Sequence, residues 1–165
     1  MKYISTYSSP LGKMFMASDD GEALCGLWFE EQKYVPQNLA SAQLCDSLRL
    51  FEQSRHWLDI YFNGENPDFM PPLNPEGTPF RQKVWKLLLD IPYGLTTTYG
   101  QLAARMATDS GHTTMSAQAV GGAVGHNPIS VIIPCHRVVG ADGCLTGYAG
   151  GLERKSRLLS MEQRM

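Results

Sequence analysis

Residues 67–79 hold five of the chain's ten prolines: Pro67, Pro71, Pro72, Pro75 and Pro79. Proline lacks the amide hydrogen that helices and inner strands need, and it pushes the residue before it toward extended backbone. No regular element crosses such a stretch, so the 165-residue chain is divided near its middle into two parts, each with its own elements. The charge changes sign at the same place. With a boundary after Leu73, residues 1–73 carry a net −5 and residues 74–165 a net +3, within an overall −2. A basic excess of this size permits a polyanionic partner without demanding one.

No stretch approaches the eighteen or so uninterrupted apolar residues of a membrane span, and Met1-Lys2-Tyr3-Ile4-Ser5 lacks a signal-peptide pattern. A cytoplasmic protein away from membranes is the expectation. The four cysteines, Cys25, Cys45, Cys135 and Cys144, show no two-residue spacing of the zinc or redox kind, so neither disulfides nor a metal site is expected.

In the first part, residues 2–8 and 13–17 alternate apolar and polar side chains on either side of Ser9-Pro10-Leu11-Gly12, which reads as a hairpin. A second turn at Ser18-Asp19-Asp20-Gly21 leads to a third strand over 23–29, with Cys25 packed in it. From 41 to 62, Leu44, Leu48, Phe51, Leu58 and Tyr61 recur at helical spacing, predicting one helix that covers the sheet and stops at Asn63-Gly64. His56 and Trp57 read as surface and packing residues. In the second part, Thr78-Pro79 caps a helix with Phe80, Val84, Leu87 and Leu88 on one face. Residues 98–106 and 116–124 read as two short helices joined by a polar loop over 107–114, compatible with a helix-turn-helix, although on pattern alone plain helical packing is the stronger reading. A closing helix over 152–163 brings Leu152, Leu158, Leu159 and Glu162 toward one side. The fold class is α+β: a small amino-terminal α/β domain over 1–73 with a short antiparallel sheet, and a mainly helical domain over 74–165 with a winged-helix-like helix-turn-helix.

Chemistry concentrates at Ile132-Ile133-Pro134-Cys135-His136-Arg137-Val138-Val139. An apolar run delivers a thiol with an imidazole beside it, and a thiol that is to act as a nucleophile near neutral pH needs such a base or a positive field. A buried cysteine acting as a small hydrophobe is the alternative for the pair taken alone.

Together with Asn127-Pro128, Gly147-Tyr148-Ala149-Gly150-Gly151-Leu152, Phe80-Arg81, Val84-Trp85, Ile91-Pro92-Tyr93-Gly94, Thr98-Tyr99-Gly100 and Ala119-Val120-Gly121-Gly122-Ala123, this segment resembles the signature of the O6-alkylguanine-DNA alkyltransferases. These are also called methylated-DNA-protein-cysteine methyltransferases. Ser9-Pro10-Leu11-Gly12-Lys13 is similar to the family's first hairpin, so the resemblance covers nearly the whole chain.

It implies single-turnover transfer of an alkyl group from O6 of guanine in double-stranded DNA to Cys135, by a monomer with no dissociable cofactor. His136 would take the thiol proton through a water. Glu162 would orient the imidazole and favour imidazolium, and so a paired thiolate. Asn127 matches the family's hinge asparagine, and Tyr99 the tyrosine that rotates the target phosphate and donates toward the leaving guanine. A thiol cannot reach O6 while the base is stacked, so the base must flip. Val138 and the Tyr148-Ala149 loop would hold it, with Ala119, Gly121 and Arg137 also among the DNA-contacting positions. Gln118 stands where the family carries an arginine, which lowers the charge offered to the orphaned base; His112 or Met115 in the longer loop is the alternative gap-filler. Acceptance of bulkier alkyl groups or O4-methylthymine follows from pocket width around Tyr148 and Ala149 rather than from residue type. Two other functions stand beside this one: a lesion binder without transfer, disfavoured because the acceptor Cys135 is present, and a thiol hydrolase, disfavoured because no oxyanion loop is evident.

Overall fold

The computed structural model describes residues 1–112 and 114–164. It divides into two compact units: Met1–Glu76 together with Pro128–Ser130, and Gly77–Asn127 together with Val131–Met165.

In the first unit, β1 (Tyr3–Ser9) and β2 (Gly12–Ser18) form the expected hairpin, with Tyr3 opposite Ser18 and Ser9 opposite Gly12. Ser9 closes the turn on itself, its Oγ accepting from Leu11 N and donating to Gly12 O. β3 (Gly26–Phe29) adds antiparallel to β2 and is shorter than the 23–29 expected. On its other side Leu27 pairs with the segment 128–130: Leu27 N donates to Pro128 O and Ser130 N to Leu27 O. Both faces of β2 are covered, since Met14 and Met16 are fully buried while Ala17 packs with Cys25 and Trp28.

The helix predicted from 41 is shorter. β4 (Gln43–Leu44) pairs parallel with β1, leaving Leu44 61% exposed at the sheet edge, and α1 spans Arg49–Phe62. Leu44 thus fitted the helical period by coincidence, because a periodicity count does not see a strand's partner. Within α1, Phe51, Leu58 and Tyr61 are buried, as is Trp57, while His56 stacks on Phe69. Asn63 ends the helix and Gly64 follows at φ +87°. The proline stretch is not a free tether: Leu24 N donates to Pro72 O and Asn74 N to Leu24 O, pinning it to the unit's own core.

In the second unit, α2 (Pro79–Leu89), α3 (Tyr99–Asp109) and α4 (Ala117–Gly125) each begin at a hydroxyl cap. Thr78 accepts from Arg81 N, Thr98 forms a capping box with Gln101, and Ser116 accepts from Ala119 N. Each satisfies amides that the first turn of a helix leaves unbonded. Buried Trp85 of α2 donates its indole N–H to Ala123 O of α4 at 2.9 Å. Its ring passes so close to Gly77 that a Cβ there would lie 2.4 Å from it.

α3 runs three residues past the 106 expected, ending in a turn where Gly111 takes φ +73°. The connection to α4 is therefore 110–116, shorter than the polar loop read from 107; Thr113 lies outside the described residues. Two strands of this unit went unread in the sequence: β5 (Thr97–Thr98) pairs parallel with β6 (Val138–Val139), fixing the chain just after the Pro-Cys-His segment to the start of α3. α5 (Leu152–Glu162) closes the unit. Its buried stripe is Lys155, Leu158, Leu159 and Glu162, whereas Leu152 is 47% exposed, contrary to the expected face.

Candidate active site

Val131 precedes the cysteine by four residues and adopts φ +71°, a left-handed conformation that β-branched residues avoid at a cost of roughly 1–3 kcal/mol. The chain then makes a single 3-10 turn over Cys135–Arg137, with Arg137 N bonded to Pro134 O. All three residues of the turn are buried. Asn127, at the end of α4, donates from Nδ2 to Ile133 O at 2.8 Å, and its side chain also reaches the Cys135 thiol. One amide thus links the end of α4 to the cysteine segment.

Behind the cysteine is a buried charge relay. His136 Nε2 donates to Glu162 Oε2 at 2.5 Å. Arg137 Nε donates to Glu162 Oε1 at 2.7 Å, and Gly94 N reaches the same oxygen at 3.3 Å. Arg137 Nη1 is held in turn by Ile91 O at 2.7 Å, and its guanidinium lies 5.7 Å from the Tyr93 ring. The turn Ile91-Pro92-Tyr93-Gly94 is therefore the platform of the carboxylate. Gly94 is required there: its φ is +83°, and a Cβ would meet Glu162 O at 3.3 Å. Arg137, expected among the DNA-contacting positions, is 8% exposed, with its guanidinium paired to the carboxylate.

The protonation states follow from this geometry. Burial alone would raise the Glu162 carboxyl, but the bonds from His136 and Arg137 hold it down at about 2. It is ionised and can only accept, so His136 carries its hydrogen on Nε2 and presents Nδ1 as the basic nitrogen. Burial pushes the His136 pKa down, and the charges of Arg137 and Lys155 act the same way against the pull of Glu162. Arg137 already balances the carboxylate, so the imidazole sits beside a neutral pair and stays neutral. Burial likewise pushes the Cys135 thiol up, opposed by Asn127 and by the charge of Lys155. Both directions favour a thiol and a neutral imidazole at rest, with Glu162 pulling the histidine the other way.

Tyr99 opens α3, half-buried, its hydroxyl pushed up by burial and, more weakly, by the charge Cys135 can carry. Gly121 approaches it, a Cβ there lying 3.6 Å from the ring. Gln118 and Ala119 are exposed on the first turn of α4; His112 is exposed and Met115 half-buried ahead of it. Val138 is buried in β6, and Tyr148 and Ala149 are half-buried in the loop that follows Gly147. The structure thus gathers Cys135, His136, Glu162, Asn127 and Tyr99 about one centre. It also brings in Lys155, which sequence reasoning missed. The signal was present: 155, 158, 159 and 162 are helix-face neighbours, and a lysine inside that stripe is an internal charge. Among the described residues no cluster of three metal-ligating side chains occurs, and no helix is long and apolar enough to cross a membrane.

A family model described as 6-O-methylguanine DNA methyltransferase, DNA binding domain, matches residues 79–164. A second, described as the ribonuclease-like domain of the same methyltransferase, matches residues 2–75. The methylated-DNA–protein-cysteine methyltransferase of Haemophilus influenzae is 45% identical over 162 residues, covering 98% of this chain and 86% of that protein. The protein of that name from Methanosarcina acetivorans is 39% identical, covering 97% of each. Among solved structures, that of Mycobacterium tuberculosis OGT in complex with DNA superposes with a TM-score of 0.85 at 40% identity, covering 98% of this chain and 92% of that one.

Proposed function

Because the chain belongs to the 6-O-methylguanine DNA methyltransferase family, we propose that it repairs DNA by moving the alkyl group of O6-alkylguanine onto its own Cys135. The observation that carries this reading is the buried turn Cys135–Arg137, in which Glu162 holds the His136 imidazole by its Nε2 directly after a buried thiol.

The thiol proton passes to His136 Nδ1, by way of a water, and the imidazolium so formed is stabilised by Glu162 at 2.5 Å. The sulfur electron pair attacks the alkyl carbon, forming the S–C bond as the C–O6 bond breaks. Its electrons leave with guanine, which takes up a proton from the Tyr99 hydroxyl; the proton held on the imidazole then passes to Tyr99, restoring the neutral hydroxyl and the neutral imidazole. No external cofactor enters this balance. A thioether offers no route back to thiol, so each molecule acts once.

O6 is reachable in line only when the base is out of the stack, so the reading includes base flipping, with Tyr148, Ala149 and the backbone at Val138 receiving the base. Unstacking costs a few kcal/mol, less for a lesion that pairs poorly. Asn127 ties this segment to α4, on whose exposed first turn Gln118 and Ala119, with Gly121 beyond them, would enter the groove of double-stranded DNA. The protein acts as a monomer in the cytoplasm, where a reducing environment keeps the acceptor thiol free.

The test is incubation with a duplex carrying O6-methylguanine, followed by peptide mass analysis. One methyl gained on the peptide containing Cys135, and none in Cys135→Ala, supports the reading. Tight lesion binding with unchanged mass points instead to a lesion binder.

A further inference from the structure

Lys155 is a cation for which the relay has no use. Its side chain is fully enclosed, with 0% exposure. Nζ donates to two backbone carbonyls, Val138 O at 2.6 Å and Gly147 O at 2.8 Å, and lies 5.8 Å from the centre of the Tyr99 ring. None of the ion pairs among the described residues includes it. Glu162 shares its helix face, but both carboxylate oxygens are taken by His136, Arg137 and Gly94.

An ammonium buried without a counter-ion is a heavy desolvation cost that an apolar side chain of the same length would avoid. With Arg137 and Glu162 balancing one another, and Cys135, His136 and Tyr99 neutral, the site carries one positive charge, on Lys155. The anion that complements it is the one the reaction creates. Burial pulls the Lys155 pKa below its ordinary value, and the thiolate of Cys135 opposes that pull; in return the lysine's charge favours the thiolate.

We propose that Lys155 is a positioning residue for alkyl transfer. Its ammonium is the fixed counter-charge to the Cys135 thiolate, and its two hydrogen bonds tie the Val138 segment, which follows the cysteine turn, to the Gly147 segment. The role rests on the reading of Cys135 as acceptor. The proton leaves sulfur for His136, the negative charge left behind is met by Lys155, and the charge disappears when the S–C bond forms.

The experiment is single-turnover methyl transfer from an O6-methylguanine duplex to the full chain as a function of pH, comparing the parent with Lys155→Met and Lys155→Arg. Loss of the charge makes the thiolate harder to form. Lys155→Met should therefore be at least about tenfold slower near neutrality, recovering as the pH is raised, with the acid limb displaced upward by about one unit. Lys155→Arg, which keeps the charge, should hold the parent's profile. A Lys155→Met profile that does not move, or a slowing that is equal at every pH, overturns the proposal. If Lys155→Met fails to fold by circular dichroism, Lys155→Arg decides: transfer with the parental profile supports the role, and a displaced or lost one overturns it. A parent that gains no methyl on Cys135 sinks the acceptor reading itself, whereas a methylated parent with an unmoved Lys155→Met profile sinks only the role of Lys155.

Discussion

Each unit of the molecule contains a buried cysteine, and the two could hardly be placed in more different fields. Cys25 is 8% exposed and Cys135 6% exposed, and burial raises both thiols. Around Cys25 the nearby charges include Asp19 and Glu76, which add to the effect of burial against the opposing amino terminus, and the thiol is pushed up to about 11. Around Cys135 are an amide that bonds the sulfur and a lysine that favours its anion, and the next residue is a histidine held by Glu162. Burial makes a thiol inert; the sign of the surrounding charges decides whether a thiolate can be drawn from it on demand.

Exchange of the two thiols gives the largest effect. Cys135→Ala should take up no methyl from an O6-methylguanine duplex, while Cys25→Ala should transfer as the parent does, read by peptide mass. A folded Cys25→Ala that fails to transfer would break the contrast.

Next comes the relay that distinguishes the two sites. Glu162→Ala removes the acceptor of both His136 and Arg137 and leaves a buried guanidinium unpaired. Transfer should fall by about a hundredfold or more, and urea unfolding should show a loss of about 3–5 kcal/mol.

The two sites should also govern opposite ends of the pH–stability curve. Glu162 has a folded pKa of about 2, below its ordinary value. Its contribution is therefore present above the ordinary carboxylate range and is lost as the pH falls from about 4.5 toward 2. His136, depressed by burial, starts the same acid-side loss near pH 6.5, where the unfolded imidazole begins to charge. Cys25 is raised instead, so its contribution is full below the unfolded thiol pKa and lost as the pH climbs from about 9 toward 11. Denaturation midpoints followed across pH should show a shallower alkaline loss in Cys25→Ala and an unchanged acid limb; a shift on the acid side instead would contradict this assignment.

The smallest effect is at Gln118, outside both sites. Gln118→Arg adds a charge and a planar donor to the exposed start of α4, and repair at limiting DNA concentration should quicken by a few fold. No gain there would mean that Gln118 does not limit DNA engagement.

Much of this was legible beforehand because it is written in local chemistry. The Ser9–Gly12 turn, the caps at Thr78 and Ser116 and the Pro134-Cys135-His136 step each depend on a few adjacent residues. What escaped needed partners distant in sequence. Leu44 has the right spacing for α1 but is captured by β1. Thr97–Thr98 is too short to read as a strand until Val138–Val139 lies beside it. The bonds of Arg137 to Glu162 and to Ile91, 25 and 46 residues away, could not be read from its place beside Cys135 and His136.

By itself, then, the sequence determined the α+β class, many of the places where the chain turns, and the position of the Cys135-His136 pair that its family resemblance singles out, since these rest on residue type and short spacing. Only the tertiary structure decided their electrical state. A carboxylate behind a histidine reads as a source of imidazolium. Once Arg137 shares that carboxylate and burial removes water, the imidazole stays neutral and the remaining positive charge falls to Lys155. The energy of a charge depends on its distance from other charges and from solvent, and neither is a property of the chain until it has folded.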